Sequence, residues 1–132
     1  MEHTADAGLR ARGDSLEELL VACAEGMFAI LVETDQPLEP LDEEIDISAQ
    51  DPEDLVHTWL RELLYLFDVE HLVFHRFDIG EASDTHVHAL CHGERLDPER
   101  HRPGAEIKAV TYHGFKVEHT GDGWLAEVLF DV

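Results

Sequence analysis

The sequence predicts a single α+β domain, residues 1–132, with two helices packed on a mainly antiparallel β-sheet, and three observations point to it. Apolar and polar residues alternate over residues 2–12, over residues 44–49 and again from Leu72 onward, the period of half-buried strands. Two other stretches, residues 16–31 and 56–67, repeat apolar side chains at helical spacing. No linker, internal repeat or low-complexity tract divides the 132 residues, a length suited to one core. The coarse order is β-α-β-α-β-β-β-β.

In the first strand Ala5, Ala7, Leu9 and Ala11 alternate with Thr4, Asp6, Arg10 and Arg12, so Asp6 points away from the apolar face. Gly13-Asp14-Ser15 stops it, and Ser15 with Glu18 three residues later forms a capping box. The helix that follows runs to about Leu31, with Leu16, Leu19, Leu20, Cys23, Met27, Ile30 and Leu31 on one stripe. After a polar connector holding Pro37 and Pro40, Ile45, Ile47 and Ala49 alternate with Glu44, Asp46 and Ser48 in a second strand. Asp51-Pro52 opens another helix, where an acceptor caps the end and proline has no N–H to waste. Val56, Trp59, Leu60, Leu63, Leu64 and Phe67 give this helix a wide apolar face, on which Trp59 is a core anchor. A hairpin follows, broken at Gly80-Glu81-Ala82-Ser83-Asp84. Residues 93–106, with Pro98, Pro103 and Gly104, read as a long surface loop. Two last strands, residues 107–119 and 124–131, meet at the tight turn Thr120-Gly121-Asp122-Gly123.

Thirty Asp plus Glu against nine Lys plus Arg leave a formal charge of −21. A chain that gripped nucleic acid alone needs a basic face to displace counterions, and the two lysines and seven arginines form no such cluster. The acidity is read as a solvated surface, which can also steer a basic partner. No apolar run approaches the ~18 residues that span a bilayer. The amino terminus lacks the pattern of a signal peptide, so a cytoplasmic protein is expected. Cys23 and Cys91 fall on apolar positions and read as small core residues.

The most unusual segment is Ile107-Lys108-Ala109-Val110-Thr111-Tyr112-His113-Gly114. Read as a strand, it places polar side chains on both faces, and such breaks in alternation mark functional positions. Asp6 and Asp131 fall on the non-apolar phase of the first and last strands. If those strands are neighbours, two carboxylates converge beside Val132 and its terminal oxygen, a donor set for a hard cation such as calcium or magnesium. The alternative is a pair of solvated surface acids. His86, His88 and His92 share one strand face in a chain of ten histidines, and a solvent-facing polar face explains them more simply than zinc. His101, in the long loop, and His113 are candidates for nucleotide contact or proton transfer, or for structural roles. There is no nucleophile elbow, glycine-rich phosphate loop or Cys-x-x-Cys, so independent catalysis has little support.

His3-Thr4-Ala5-Asp6-Ala7-Gly8, the Gly-Asp-Ser-Leu-Glu-Glu helix start, Trp59-Leu60-Arg61-Glu62-Leu63-Leu64, His101, Glu106 to His113, Trp124 and Asp131-Val132 together resemble the archease family, over the whole chain. The resemblance implies a small, non-catalytic cytoplasmic protein cofactor that activates an RtcB-type tRNA-splicing RNA ligase, promotes its guanylylation and multiple turnover, and meets RNA only through it. It also implies a divalent metal, calcium ahead of magnesium or manganese, on Asp6, Asp131 and Val132. His101, Lys108, Thr111, Tyr112 and His113 match further signature positions, assigned to the surface that activates the partner. Ala7 stands where the family commonly has valine. A second reading, a chaperone-like modulator of a tRNA methyltransferase, needs no metal and would lean on the acidic surface. A third, an independent metal-dependent hydrolase, has no motif behind it.

Overall fold

The computed structural model describes residues 6–132. His3, Thr4 and Ala5 of the first motif lie outside the described residues, as does the side chain of Asp6. In chain order the elements are β1 (Asp6–Gly13), α1 (Leu16–Leu31), β2 (Val32–Thr34), β3 (Leu41–Ser48), α2 (Pro52–Glu70), β4 (Leu72–Ser83), β5 (His86–Arg95), β6 (His101–Pro103), β7 (Ala109–Val110), β8 (Lys116–Thr120) and β9 (Gly123–Asp131).

Both helices begin where the sequence predicts. Ser15 Oγ accepts the Glu18 N–H at 3.1 Å, and the Glu18 carboxylate reaches back to the Asp14 N–H at 2.9 Å, so two donors with no helical partner are satisfied. Asp51 accepts the Asp54 N–H at 2.8 Å, with Pro52 in the first turn. α1 ends as Val32 turns extended into β2, and α2 ends on His71, whose φ of 59° is a left-handed cap without glycine.

Among the described residues every strand pairing is antiparallel, but the strands form three sheets rather than one. β9 is the centre of the first, paired with β1 along one edge and with β7 and β8 along the other. The second has the order β3-β5-β4, and β2 pairs with β6 in the third. The core lies between the helices and these sheets. Trp59 is fully buried and donates its indole N–H to the Leu20 carbonyl at 2.9 Å, which ties α2 to α1. Phe28 of α1 packs edge-on against Phe67 and Phe74, with ring centroids 6.1 and 5.8 Å away. Cys23 and Cys91 are buried, free thiols whose pKa burial pushes up to about 12. Among the described residues no helix is long and apolar enough to cross a membrane.

Three further sequence expectations change. The strand expected over 107–119 is two short strands separated by a turn, so polar side chains on both sides of residues 111–113 reflect that turn, not a two-faced strand. The loop expected over 93–106 holds the end of β5 and all of β6, because β2 offers β6 a partner. The break expected at 80–84 is crossed by β4, which continues to Ser83 and absorbs its irregular sequence in register shifts between Phe74 and Arg76 and between Ile79 and Glu81.

Candidate functional site

The ends of β1, β7 and β9 meet at one corner. In the β1–β9 register Asp6 stands opposite Asp131, and across β9 Ala109 stands opposite the same residue. Directly opposed residues of an antiparallel pair have Cα atoms about 4.5–5.5 Å apart. The Lys108 N–H donates to the Asp131 carbonyl at 2.6 Å, and the Thr111 N–H to the Leu129 carbonyl at 3.3 Å, which extends the hold of the two-residue β7 on β9. The chain then turns sharply. Thr111 Oγ1 accepts the His113 N–H at 2.9 Å, and the Tyr112 carbonyl accepts the Phe115 N–H at 3.2 Å. Gly114 makes this turn at φ 71°, where a Cβ would stand 2.8 Å from Leu129 Cδ1.

An open cleft of about 520 Å³ results, lined by residues 109–113 with Leu129 and Asp131. The Asp131 side chain is exposed and Val132 half-buried. The donors in this corner, an exposed carboxylate and main-chain oxygens, are hard oxygen ligands, the kind that calcium and magnesium take. They are too few to fill a coordination sphere of 6–8 oxygens, so the chemistry fits an ion that also keeps water or takes groups from a partner.

Of the residues singled out from sequence, the structure brings Thr111, Tyr112, His113 and Asp131 to this cleft, with the Lys108 backbone on Asp131 and Asp6 in register with it. His101 lies elsewhere. It is 3% exposed on β6, in a different sheet, and is not part of the open surface where the resemblance put it. The trio on β5 does not converge either. His86 bonds Asp46 at 2.7 Å, His88 bonds Glu44 at 2.6 Å, and His92 bonds both Asp42 at 2.6 Å and Asp78 at 2.7 Å. These bonds hold His88 (Glu44) and His92 (Asp42, then Asp78) above the usual histidine range.

Sequence reading passed over a second cluster. Glu94 is buried and accepts from His75 Nε2 at 2.6 Å, from the Leu38 N–H at 3.0 Å and from Arg100, with His101 Nε2 3.3 Å away. The register shift between Phe74 and Arg76 frees His75 from the ladder and lets it reach Glu94. Burial lowers the pKa of both histidines, helped by their mutual repulsion at His75 and by Arg100 at His101.

Ligand atoms of His75, Glu94 and His101 lie within 4.8 Å of one another, spacing that a metal ion could use. Two details favour hydrogen bonds instead. The Asp97 N–H donates to His101 Nδ1 at 2.8 Å, so the neutral ring carries its proton on Nε2, the atom a metal would need bare. Arg100 already occupies the other Glu94 oxygen. The signal available in the sequence was Glu94 itself, a carboxylate in the apolar and small run that ends β5.

Together these features define a small two-helix α+β domain with an open acid-and-aromatic cleft where its first and last described strands join. The chain belongs to the archease family, matching the Archease protein family over residues 1–132. It is 40% identical to protein archease of Pyrococcus abyssi over 99% of this chain and 95% of that one. It is 38% identical to protein archease of Methanosarcina mazei over 100% and 93% of the two chains. Among solved structures it resembles a Methanobacterium thermoautotrophicum protein in solution, with TM-score 0.83, 32% identity and coverage of 100% and 96%. A Thermotoga maritima crystal structure, described as an archease and possible chaperone, superposes with TM-score 0.72 at 26% identity, covering 100% and 94%.

Proposed function

We propose that this protein is a non-catalytic activator of an RtcB-type tRNA-splicing RNA ligase, acting in the cytoplasm to promote ligase guanylylation and multiple turnover. The observation that carries the reading is the register of Asp6 with Asp131 at the edge of the cleft. Asp6, Asp131 and Val132 would hold a divalent cation, calcium by preference and magnesium or manganese in its place, which supplies positive charge to a site otherwise acidic. The residues of this chain present it: β9 fixes both neighbours of Asp131, and Lys108, Thr111, Tyr112 and His113 offer donors and an aromatic ring to the ligase. With a formal charge of −21 the protein meets RNA through its partner rather than alone.

The test compares ligase guanylylation and multiple-turnover joining with the parent, Asp6→Ala and Asp131→Asn, titrated with calcium, magnesium and manganese. Loss of stimulation in both variants supports the reading, and equal stimulation by parent and Asp6→Ala overturns it. The relative described as a possible chaperone favours a second reading, a modulator that keeps a tRNA methyltransferase soluble. It predicts that neutralising surface acids impairs function more than Asp6→Ala does.

A further inference from the structure

α2 delivers one histidine to the underside of the cleft. His57 is 1% exposed, on the apolar stripe with Leu60 and Leu64. Its Nε2 lies 2.9 Å from the Val110 carbonyl, to which the ring donates. The Tyr112 ring lies flat on it, with centroids 3.7 Å apart and planes 10° from parallel, and Phe115 meets it edge-on at 5.1 Å. Tyr112 is nevertheless 63% exposed. One face of that ring is covered by His57, so the area open to solvent is its other face and its edge.

The other imidazole nitrogen, Nδ1, is buried and has no hydrogen-bond partner among the described residues. An orphaned buried nitrogen works against folding. Leucine or phenylalanine would fill the space without it. What the imidazole adds over either is an N–H for Val110 and a flat polar ring beneath Tyr112. That bond matters because β7 is two residues long, and the adjoining Lys108 N–H and Thr111 N–H are its neighbours' links to β9.

We propose that His57 is a positioning residue that ties α2 to the 108–113 segment and holds Tyr112 flat, fixing the geometry in which the cleft is presented. The importance of that geometry for activity rests on the reading given under Proposed function; the tie itself does not.

Three variants separate the contributions. His57→Phe keeps a ring but no donor, His57→Gln keeps a donor but no ring, and His57→Leu keeps neither. Amide hydrogen exchange at residues 108–115 and the Tyr112 ring resonances are followed by NMR, beside thermal unfolding. In His57→Phe exchange at these amides accelerates about tenfold while the melting temperature holds or rises, and His57→Gln restores slow exchange. In both His57→Gln and His57→Leu the Tyr112 resonances lose the displacement caused by the stacked ring. Tyr112→Leu, altered on the exposed side, also speeds exchange. Unchanged exchange in His57→Phe, or unchanged Tyr112 resonances in His57→Gln, overturns the proposal. Ligase stimulation by the same variants is scored separately, so failure of the activator reading leaves the exchange result intact.

Discussion

Replacing Glu94 by glutamine keeps the shape of the side chain and removes its charge. The carboxylate accepts from His75, the Leu38 N–H and Arg100, and His101 stands close beside it. An amide has one acceptor oxygen, and its NH2 must face at least one of these donors. Losing one charge-assisted bond and leaving one buried donor unsatisfied costs about 3 kcal/mol, with Arg100 contributing little because its side chain is 32% exposed and can turn to water. For a domain of this size that corresponds to a melting temperature lower by roughly 10 °C. Thermal unfolding followed by circular dichroism, on parent and Glu94→Gln, with and without EDTA or added zinc, measures it. A variant melting within about 2 °C of the parent would refute the network. So would a parent that EDTA lowers to the melting point of the variant, since a metal would then be the group that Glu94 holds.

Gly114→Ala forces a Cβ into a left-handed turn and to 2.8 Å from Leu129 Cδ1; a loss of about 1–3 kcal/mol in urea unfolding is expected, together with a weaker response of the ligase. The pH profile of stability has two opposite parts. His57, His75 and His101 have folded pKa values below the ordinary 6.5, burial being the first cause in each. As pH falls below ~6.5 the unfolded chain takes up protons that the folded one refuses, and stability drops toward their folded values. His88 and His92 are raised, so their contribution is complete below ~6.5 and fades as pH rises through their folded values. Urea titrations from acid to mildly alkaline pH check the signs: His57→Gln should flatten the acid limb and His88→Gln the alkaline one, and the reverse assignment would defeat it.

Helix starts and strand phases were legible because each is written locally. Ser15 and Glu18, or Asp51 and Pro52, lie within one turn of the end they cap, and Ile45 and Ile47 of β3 alternate with acids as a one-sided strand must. What was not legible depends on distant partners. β6 exists because β2 lies beside it, and His75 reaches Glu94 because β4 bulges against β5. The candidate site divides the same way. The polar phase of Asp6 and Asp131 raised the joining of β1 to β9 only as a condition, which the register meets, whereas His101 read as an accessible loop residue and is buried by contacts no local pattern encodes. His57 left a faint trace, a histidine three residues before Leu60 and seven before Leu64 on an apolar stripe, easily taken for an ordinary buried side chain.

β9 leaves the ribosome after every strand it joins. Until it does, β1, β7 and β8 have no strand neighbour among the described residues. Bringing Glu127 to Arg10 closes 117 positions of chain, an entropic toll of about 4 kcal/mol that local contacts cannot repay early. A nascent molecule therefore holds open edges above two amphipathic helices, a state prone to sticking, until β9 has emerged and docked. The corner where Asp6 faces Asp131 comes into being only as β9 docks, so whatever binds there recognises molecules in which this sheet has closed and passes over those in which it has not.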